Sequence, residues 1–270
     1  MVSFPSCKIN LGLHVIAKRA DGYHEIDTCF YPVPWTEMLE IIPSKTFSFV
    51  CTGLELSGVM EENLCVKAYR LLKKNYPLGE VSIHLHKIIP SGAGLGGGSS
   101  DASSTLILLN SIFKLELSCE ELKKYASMLG SDCAFFIDHK PMIGSGRGEE
   151  LEIIDLNLKN RYIAIVKPPV HVSTAEAYAQ VIPNPPIASV REILKRDISV
   201  WKHELKNDFE KSVISKHPVI GEIKSKLYAL GAVYASMSGS GSAVFGIFED
   251  KVNLQNEFIR TAYWSGRLNS

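Results

Sequence analysis

The chain of 270 residues lacks a net charge, because 29 lysine and arginine residues balance 29 aspartate and glutamate residues. Binding to nucleic acid or to an anionic membrane surface usually requires a basic excess, so neither partner is expected. No segment approaches the run of about 18 apolar residues that indicates a membrane span. Residues 1–8 also lack the basic start and apolar run of a signal peptide, which favours a cytoplasmic protein.

Paired cysteines and internal repeats are also missing. The six cysteines are scattered without a C-x-x-C pair, so free thiols in a reducing compartment are expected. No repeat of solenoid period is present. With 46% hydrophobic residues, the chain can bury a large core as one domain or as two lobes.

Strand and helix patterns are mixed along the chain, which predicts an α+β protein. The predicted strands are 81–86, 163–166 and 243–248, and the predicted helices are 64–74, 100–113, 119–129 and 218–230. Ser118 and Glu121 form a capping-box pattern, and Gly130 suits a helix C-terminal cap. A glycine-rich turn at 141–148 and the connection after it predict a lobe boundary that separates residues 1–150 from residues 151–270.

The most informative segment is a glycine loop that runs from Pro90 to Asp101. Its residues are Pro90, Ser91, Gly92, Ala93, Gly94, Leu95, Gly96, Gly97, Gly98, Ser99, Ser100 and Asp101. Such a density of glycine disfavours folding, and it is useful where a phosphate group must approach backbone N–H donors. Since the loop joins a strand to an amphipathic helix, we expect Ser99, Ser100 and Asp101 at the helix N-cap and an anion beside them.

A flexible linker and three common glycine motifs fit this loop less well. A linker is rarely held between a strand and a helix, and a Walker loop needs a lysine where Gly98 stands. The dinucleotide pattern G-x-G-x-x-G is present, but the strand before it should then be apolar on both faces, whereas His84 and His86 interrupt strand 81–86. A protein kinase would carry H-R-D and D-F-G motifs downstream, which this sequence lacks.

Two further residues are ambiguous when each is considered alone. Asp132 precedes the apolar residues 133–136, where an aspartate more often caps a turn than acts as a catalyst. Lys8 lies on a strand face with Asn10 and Gly12, where a lysine is usually solvated.

Together, four segments occur in the order of a known family. They are Lys8-Ile9-Asn10 with Ala-Asp-Gly-Tyr-His-Glu at 20–25, the glycine loop, Gly-Ser-Asp-Cys at 130–133, and Ser-Gly-Ser-Gly-Ser at 238–242. From about residue 6 to residue 248, the chain resembles the GHMP kinase superfamily. The block at 20–25 and the lysine before it are most similar to the members that phosphorylate a cytidine diphosphate-linked methylerythritol.

The resemblance implies a two-lobed fold with the site in the cleft between the lobes. The N-terminal lobe would be like domain 2 of ribosomal protein S5, and the C-terminal lobe would be α/β. ATP and Mg²⁺ are the implied cofactors. Asn63, Lys87 and the loop from Pro90 to Ser100 would bind ATP, with Ser100 as the candidate metal ligand, although helix capping explains Ser100 equally well. The implied catalytic residues are Lys8 and Asp132, and the implied substrate contacts are Asn10, Tyr23, His24, Thr174, Tyr178, Ser238 and Gly239.

The implied reaction is phosphorylation of the substrate's 2-hydroxyl, with ADP as the second product, in the methylerythritol phosphate route to isoprenoids. Asp132 would orient the hydroxyl and take its proton, while the Lys8 ammonium would stabilise the alkoxide. Departures from the family pattern are Ala134, where proline is common, and Tyr178, where phenylalanine also occurs. A homoserine or mevalonate type of kinase, a non-catalytic nucleotide-binding homologue and a dinucleotide oxidoreductase remain alternatives. A monomer or weak homodimer is expected.

Overall fold

The computed structural model describes residues 1–56 and 58–268, which form two compact units. The first unit comprises Met1–Cys7, Trp35–Ser91 and Gly96–His139. The second comprises Lys8–Pro34, Gly92–Leu95 and the described residues from Lys140 onward. Both units are therefore discontinuous in sequence. The predicted boundary near residue 150 lies inside the second unit, and the division into 1–150 and 151–270 stays a prediction.

The described residues form twelve strands and nine α-helices. The strands are β1 (Val2–Ser3), β2 (Ser6–Lys18), β3 (His24–Thr36), β4 (Met38–Pro43), β5 (Ser48–Gly53), β6 (Val81–Lys87), β7 (Met142–Ser145), β8 (Glu150–Ile153), β9 (Tyr162–Lys167), β10 (Tyr234–Met237), β11 (Val244–Phe248) and β12 (Ala262–Arg267). The helices are α1 (Leu64–Asn75), α2 (Gly97–Ile112), α3 (Cys119–Ser127), α4 (Phe135–Asp138), α5 (Thr174–Tyr178), α6 (Val190–Leu194), α7 (Ile198–Glu204), α8 (Phe209–Lys216) and α9 (Pro218–Ala229). The predicted α+β class is confirmed.

The first unit is built on a mixed sheet of order β1-β4-β6-β5, in which β6 is antiparallel to β4 and parallel to β5. Helices α1 and α2 pack against each other, and α2 also packs against β4. Strand β6 alternates as its sequence predicts: Val81, Ile83 and Leu85 are buried, whereas His84 is exposed. A strand with only one fully buried face is unlike the strand that precedes a dinucleotide loop.

The second unit contains two four-stranded sheets. One sheet has the strand order β10-β11-β9-β12, and all of its neighbouring strands are antiparallel. The other sheet has the order β2-β3-β7-β8 and belongs to the second unit except for the first two residues of β2 and the last two of β3. Apolar residues of β9, β11, α8 and α9 share one core cluster, which includes Val166, Val244, Phe209 and Leu227.

Local sequence signals account for the starts of α3 and α9, and two other predictions of helix ends are wrong. The capping box of Ser118 and Glu121 is present at the start of α3, and Pro218 opens α9 at a position that favours proline. Helix α3 ends at Ser127 with Met128 as its cap, so the prediction of Gly130 as the cap is wrong.

The N-cap predicted for Ser99, Ser100 and Asp101 is also wrong. Helix α2 begins at Gly97, and its N-cap is Gly96 in the left-handed region at φ +70°. Glycine adopts that conformation without strain, so the helix begins earlier than the serines suggested. All six cysteines are free thiols, as expected. In the described part of the chain, no helix is long and apolar enough to cross a membrane.

Candidate active site

Lys8 lies on β2 in the second unit, and its side chain is buried rather than solvated, with an exposed fraction of 3%. The ammonium donates to Asn10 Oδ1 at 2.6 Å and to the carbonyl of Gly94 at 2.9 Å. It also lies 5.2 Å from the ring centre of Phe30. Burial of a cation costs free energy unless hydrogen-bond acceptors are present, so the oxygens of Asn10 and Gly94 stabilise the buried ammonium in one position.

The predicted substrate residues Asn10 and Ser238 lie in the same group. The amide of Asn10 donates through Nδ2 to Thr28 Oγ1 at 3.0 Å, which leaves Oδ1 for Lys8. Ser238 Oγ donates to the carbonyl of Gly94 at 2.8 Å and lies 3.3 Å from the backbone N of Asn10, which donates to it. The structure therefore brings together Lys8, Asn10, Gly94 and Ser238.

Gly94 must be glycine for two separate reasons. Its φ of +77° belongs to the left-handed region, where a Cβ causes strain. A Cβ at this position would also lie 1.9 Å from the carbonyl oxygen of Ser238. The absence of a side chain at Gly94 thus allows the glycine loop to contact the segment at 238–242.

Two residues of the segment at 207–210 support the backbone of the segment at 238–242 and the strand before it. Asn207 Nδ2 donates to the carbonyls of Met237 and Gly239, at 2.8 and 2.9 Å. Glu210 Oε1 accepts from the backbone N of Met237 at 2.8 Å and from Ser236 Oγ at 3.1 Å. The segment at 207–210 does begin a helix, α8, but it also supports the backbone beside Ser238.

An aromatic group in the second unit contains the other predicted substrate residues. The rings of His24 and Tyr178 are stacked, with centroids 4.7 Å apart and an interplanar angle of 20°. Tyr23 is 56% exposed, and the Arg147 guanidinium lies 4.8 Å from its ring centre. Thr174 Oγ1 lies 3.4 Å from Ser240 Oγ. Arg147 was not among the residues that the sequence predicted to contact the substrate.

In the first unit, Lys87 forms a buried triad with two carboxylates. Its ammonium donates to Asp101 Oδ2 at 2.8 Å and to Glu37 Oε1. Glu37 Oε2 accepts from the backbone N–H groups of Ile88 and Ile89, at 2.8 and 3.1 Å. The three triad side chains are at most 3% exposed. The triad therefore joins the end of β6 to the first turns of α2.

The charges of the triad shift two pKa values. Burial alone would lower the pKa of Lys87, but the carboxylates of Asp101 and Glu37 outweigh burial and raise it. Burial raises the pKa of Asp101 to about 7, with Glu37 reinforcing this effect and Lys87 opposing it. One ammonium cannot neutralise two carboxylates, so the excess negative charge favours a proton on Asp101.

A cavity of about 580 Å³ in the first unit adjoins this triad. Its lining is partly apolar, from Phe49, Leu54, Leu56, Val59, Met60 and Leu64, and partly polar, from Asn63, Lys87, Ser91 and Asp101. Gly98 at the start of α2 also lines it. The structure thus places the predicted nucleotide residues Asn63 and Lys87 around one cavity beside the glycine loop.

Asp132 lies in the turn before α4 in the first unit and is partly buried. The next residue, Cys133, is buried, and burial raises the pKa of its thiol to about 11. Its carbonyl accepts a 2.6 Å hydrogen bond from Ser103 Oγ of α2. Ser100 is buried in the first turn of α2. This hydrogen bond therefore links the turn that carries Asp132 to α2, the helix that follows the glycine loop.

Glu37 and the triad role of Asp101 were missed by the sequence analysis. A signal for a buried cation was available, since Lys87 continues the alternation of Val81, Ile83 and Leu85 onto the buried face of β6. A lysine on such a face requires an acidic partner. Its partner Glu37, 50 positions away, could not be identified from the pattern.

Comparisons with known proteins agree with this geometry. The family description "GHMP kinases N terminal domain" matches residues 63–139, and "GHMP kinases C terminal" matches residues 189–261. The chain is 52% identical to 4-diphosphocytidyl-2-C-methyl-D-erythritol kinase of Cytophaga hutchinsonii, with 93% of each chain covered. It is 54% identical to the protein of that name from Bacteroides thetaiotaomicron, with 94% of each chain covered.

Two solved structures show the same fold. A crystal structure of 4-(cytidine 5'-diphospho)-2C-methyl-D-erythritol kinase matches all of both chains, with a TM-score of 0.86 and 31% identity. Methanococcus jannaschii mevalonate kinase matches all of this chain and 98% of its own, with a TM-score of 0.70 and 15% identity. The two-lobed fold class that the sequence predicted is confirmed.

Gly94→Ala should destabilise the protein by about 1–3 kcal/mol, because the new Cβ is strained and meets the Ser238 carbonyl. Gly98→Ala is the matched control. Gly98 lies in α2, and a Cβ there would meet nothing closer than 3.8 Å, so this variant should match or exceed the parent in stability. Urea unfolding measures both. Equal stability of the two variants would contradict the assigned contact.

Asp101→Asn should stabilise the protein more at pH 8 than at pH 5. The pKa of Asp101 is about 7 in the folded chain and near 4 when unfolded, so folding favours the protonated form. This contribution is present below about pH 4 and is lost as the pH rises through 7. Thermal unfolding of parent and variant across this range measures it. A stability difference that does not change with pH would exclude the raised pKa.

Proposed function

Because the chain belongs to the GHMP kinase family, we propose that it transfers the γ-phosphoryl group of ATP to the 2-hydroxyl of 4-diphosphocytidyl-2-C-methyl-D-erythritol. The products are the 2-phosphate and ADP, and the reaction belongs to the methylerythritol phosphate route to isoprenoid precursors. The observation that carries the proposal is identity above 50%, across more than nine-tenths of the chain, to kinases named for this substrate. A cytoplasmic monomer or weak homodimer is part of the proposal.

Phosphoryl transfer depends on positioning and charge neutralisation more than on covalent chemistry by the protein. In the proposed reaction, the glycine loop positions the phosphates of ATP. In the described chain, no side chain caps the first turn of α2 after Gly96. Its free N–H groups and the positive end of the helix dipole therefore suit phosphate oxygens. Asn63 and Lys87 line the cavity beside the loop, where the nucleoside would bind.

Asp132 and Lys8 have separate roles in the proposed reaction. Asp132 accepts the hydrogen of the acceptor hydroxyl and orients its oxygen for attack. Lys8 supplies a cation that is already desolvated and held by Asn10 and Gly94, so little reorganisation is needed as negative charge develops on that oxygen. The hydrogen bonds from Asn207 to the carbonyls of Met237 and Gly239 keep the backbone of the 238–242 segment in place for the transferred phosphate.

Mg²⁺ completes the proposed site by neutralising phosphate charge when bound. This ion commonly retains waters and binds substrate phosphates with only one or two protein ligands. A single hydroxyl can meet that requirement, and Ser100 lies in the first turn of α2. Ser100 is the residue that would hold the ion.

The aromatic group supports recognition of the cytidine end. The stacked pair of His24 and Tyr178 and the exposed ring of Tyr23 offer flat surfaces that suit a pyrimidine. Hydrogen bonds to the edge of the base would then exclude alcohols that lack cytosine. Mevalonate and homoserine kinases share the fold at 15–17% identity, so the fold alone does not choose among these substrates.

A coupled ADP-release assay tests the substrate. The purified protein with ATP and Mg²⁺ should turn over 4-diphosphocytidyl-2-C-methyl-D-erythritol, and neither homoserine nor mevalonate should replace it. Activity on another alcohol without activity on the cytidine compound would reassign the enzyme within the family. Nucleotide binding without turnover of any alcohol would indicate a non-catalytic homologue.

Asp132→Ala should lower kcat by about 10²–10⁴, because the acceptor hydroxyl loses its orienting base. The affinity for ATP should change little, since the aspartate acts on the acceptor. Asp155→Ala is the control, because Asp155 is an exposed residue outside the proposed site. Initial rates and calorimetric binding of ATP separate the two effects. Parent-like turnover in Asp132→Ala would remove this residue from catalysis.

A further inference from the structure

His171 is an exposed histidine that packs against the glycine loop within the second unit. A Cβ built on Gly92 would lie 3.1 Å from His171 Cε1 and 3.2 Å from its Nδ1. The imidazole therefore occupies the space that a side chain at position 92 would need. Among the described residues, this ring has no hydrogen-bond or ion-pair partner, so its N–H is available to a ligand.

The backbone that carries His171 is held on both sides of the residue. The carbonyl of Val170 accepts a hydrogen bond from the buried Ser242 Oγ at 2.7 Å. Val172 is buried in the core cluster of the second unit, and the Ser173 side chain caps the start of α5. A polar side chain that is exposed on a held backbone is preorganised for a ligand, since binding then orders few additional groups.

Within the second unit, His171 links the two groups that the proposed function assigns to the ends of the acceptor substrate. On one side, the glycine that it contacts is close in sequence to Gly94, whose carbonyl accepts from Lys8. On the other side, its segment continues into α5, which ends at Tyr178, stacked on His24. The acceptor in the proposed reaction carries cytosine at one end and the reacting hydroxyl at the other, with a diphosphate between them. A substrate that spans the two groups therefore brings its diphosphate towards His171.

A diphosphate in this position requires hydrogen-bond donors, because both of its phosphates carry negative charge. The Lys8 ammonium already donates to Asn10 and Gly94, and the proposed reaction uses its charge at the attacking oxygen. An imidazole has at least one N–H donor in both its neutral and its protonated form. His171 can therefore supply a donor to the diphosphate in either form.

In the proposed function, on which this assignment rests, the second unit binds the cytidine compound. We propose that the His171 imidazole donates a hydrogen bond to a phosphate oxygen of the cytidine diphosphate moiety and thereby favours acceptors that carry a diphosphate. The ATP phosphates are the other anions of the reaction, but the proposed function places them at the first turn of α2 in the first unit. The affinity for ATP should therefore not depend on His171.

Calorimetric binding of cytidine and of cytidine diphosphate (CDP) to the full chain tests this contact. Saturating ADP is present in both titrations, so that the nucleotide site is already occupied. His171→Ala should lower the affinity for CDP about tenfold, which is the lower end of what a hydrogen bond to a charged group contributes, because the ring is exposed to water. The affinity for cytidine, which has no phosphate, and the affinity for ATP, measured separately, should keep their parent values.

Two further variants separate a lost hydrogen bond from a disturbed structure. His171→Gln keeps an N–H donor, so it should bind CDP more tightly than His171→Ala does. His203→Ala is the matched control, because His203 is an exposed histidine on α7, and it should keep the parent affinity for CDP. In the turnover assay, His171→Ala should raise KM for the cytidine acceptor and leave kcat nearly unchanged, as expected for a contact made equally in the ground state and the transition state.

Parent-like binding of CDP by His171→Ala would overturn the proposal, and so would a loss that affects cytidine as much as CDP. A loss confined to ATP would assign the imidazole to the other substrate and would also overturn it. If the parent turns over the cytidine compound, any of these results shows that only the role of His171 is wrong. A parent protein that binds neither cytidine nor CDP and does not turn over the cytidine compound would contradict the proposed function itself.

Discussion

The hydrogen bonds of Lys87 to Glu37 and Asp101 are the interaction on which the nucleotide side of this protein depends. In a medium of low dielectric constant, a charge without a partner lowers the stability of the fold, so the geometry of these three groups is narrowly constrained. Glu37 also accepts from Ile88 and Ile89, so the chain leaves β6 in a defined direction just before the glycine loop. A Cβ at Gly97 would lie 3.0 Å from Glu37 Oε1 and 3.2 Å from Lys87 Nζ, and glycine therefore begins α2 directly above the triad.

The second unit uses a comparable device at another part of the same loop. Lys8 is buried on β2 and holds the carbonyl of Gly94, while Ser238 holds that carbonyl from another segment. In each unit, a buried lysine thus helps to position the part of the glycine loop that belongs to that unit. Lys8 donates to a backbone carbonyl of the loop, and Lys87 donates to two carboxylates. Because buried charges tolerate only narrow geometries, these residues define the loop backbone more sharply than apolar packing would. Asn207 and Glu210 extend this support to the strand end beside Ser238.

Local patterns predicted the elements well where short-range rules decide them. Helix α3 begins with the capping box that Ser118 and Glu121 indicate, and β6 alternates between buried and exposed residues as its composition suggests. Helix α2 was predicted three residues late, because serines are good caps but a left-handed glycine at 96 ends the loop earlier. Glu37 and the acceptors of Asn207 lie far from their partners in sequence, so no local rule could identify these contacts.

By itself, the sequence determined the class of the fold, the glycine loop and the family, because these follow from periodicity, glycine density and motif order. It also named Lys8, Asn10 and Ser238, which the tertiary structure brings within hydrogen-bond distance of one another or of Gly94. Only the tertiary structure decided that Lys87 is shared by two carboxylates and that the His171 ring lies against Gly92. The physical reason is that charge balance depends on side chains that come together from distant segments, and a local pattern does not identify those partners.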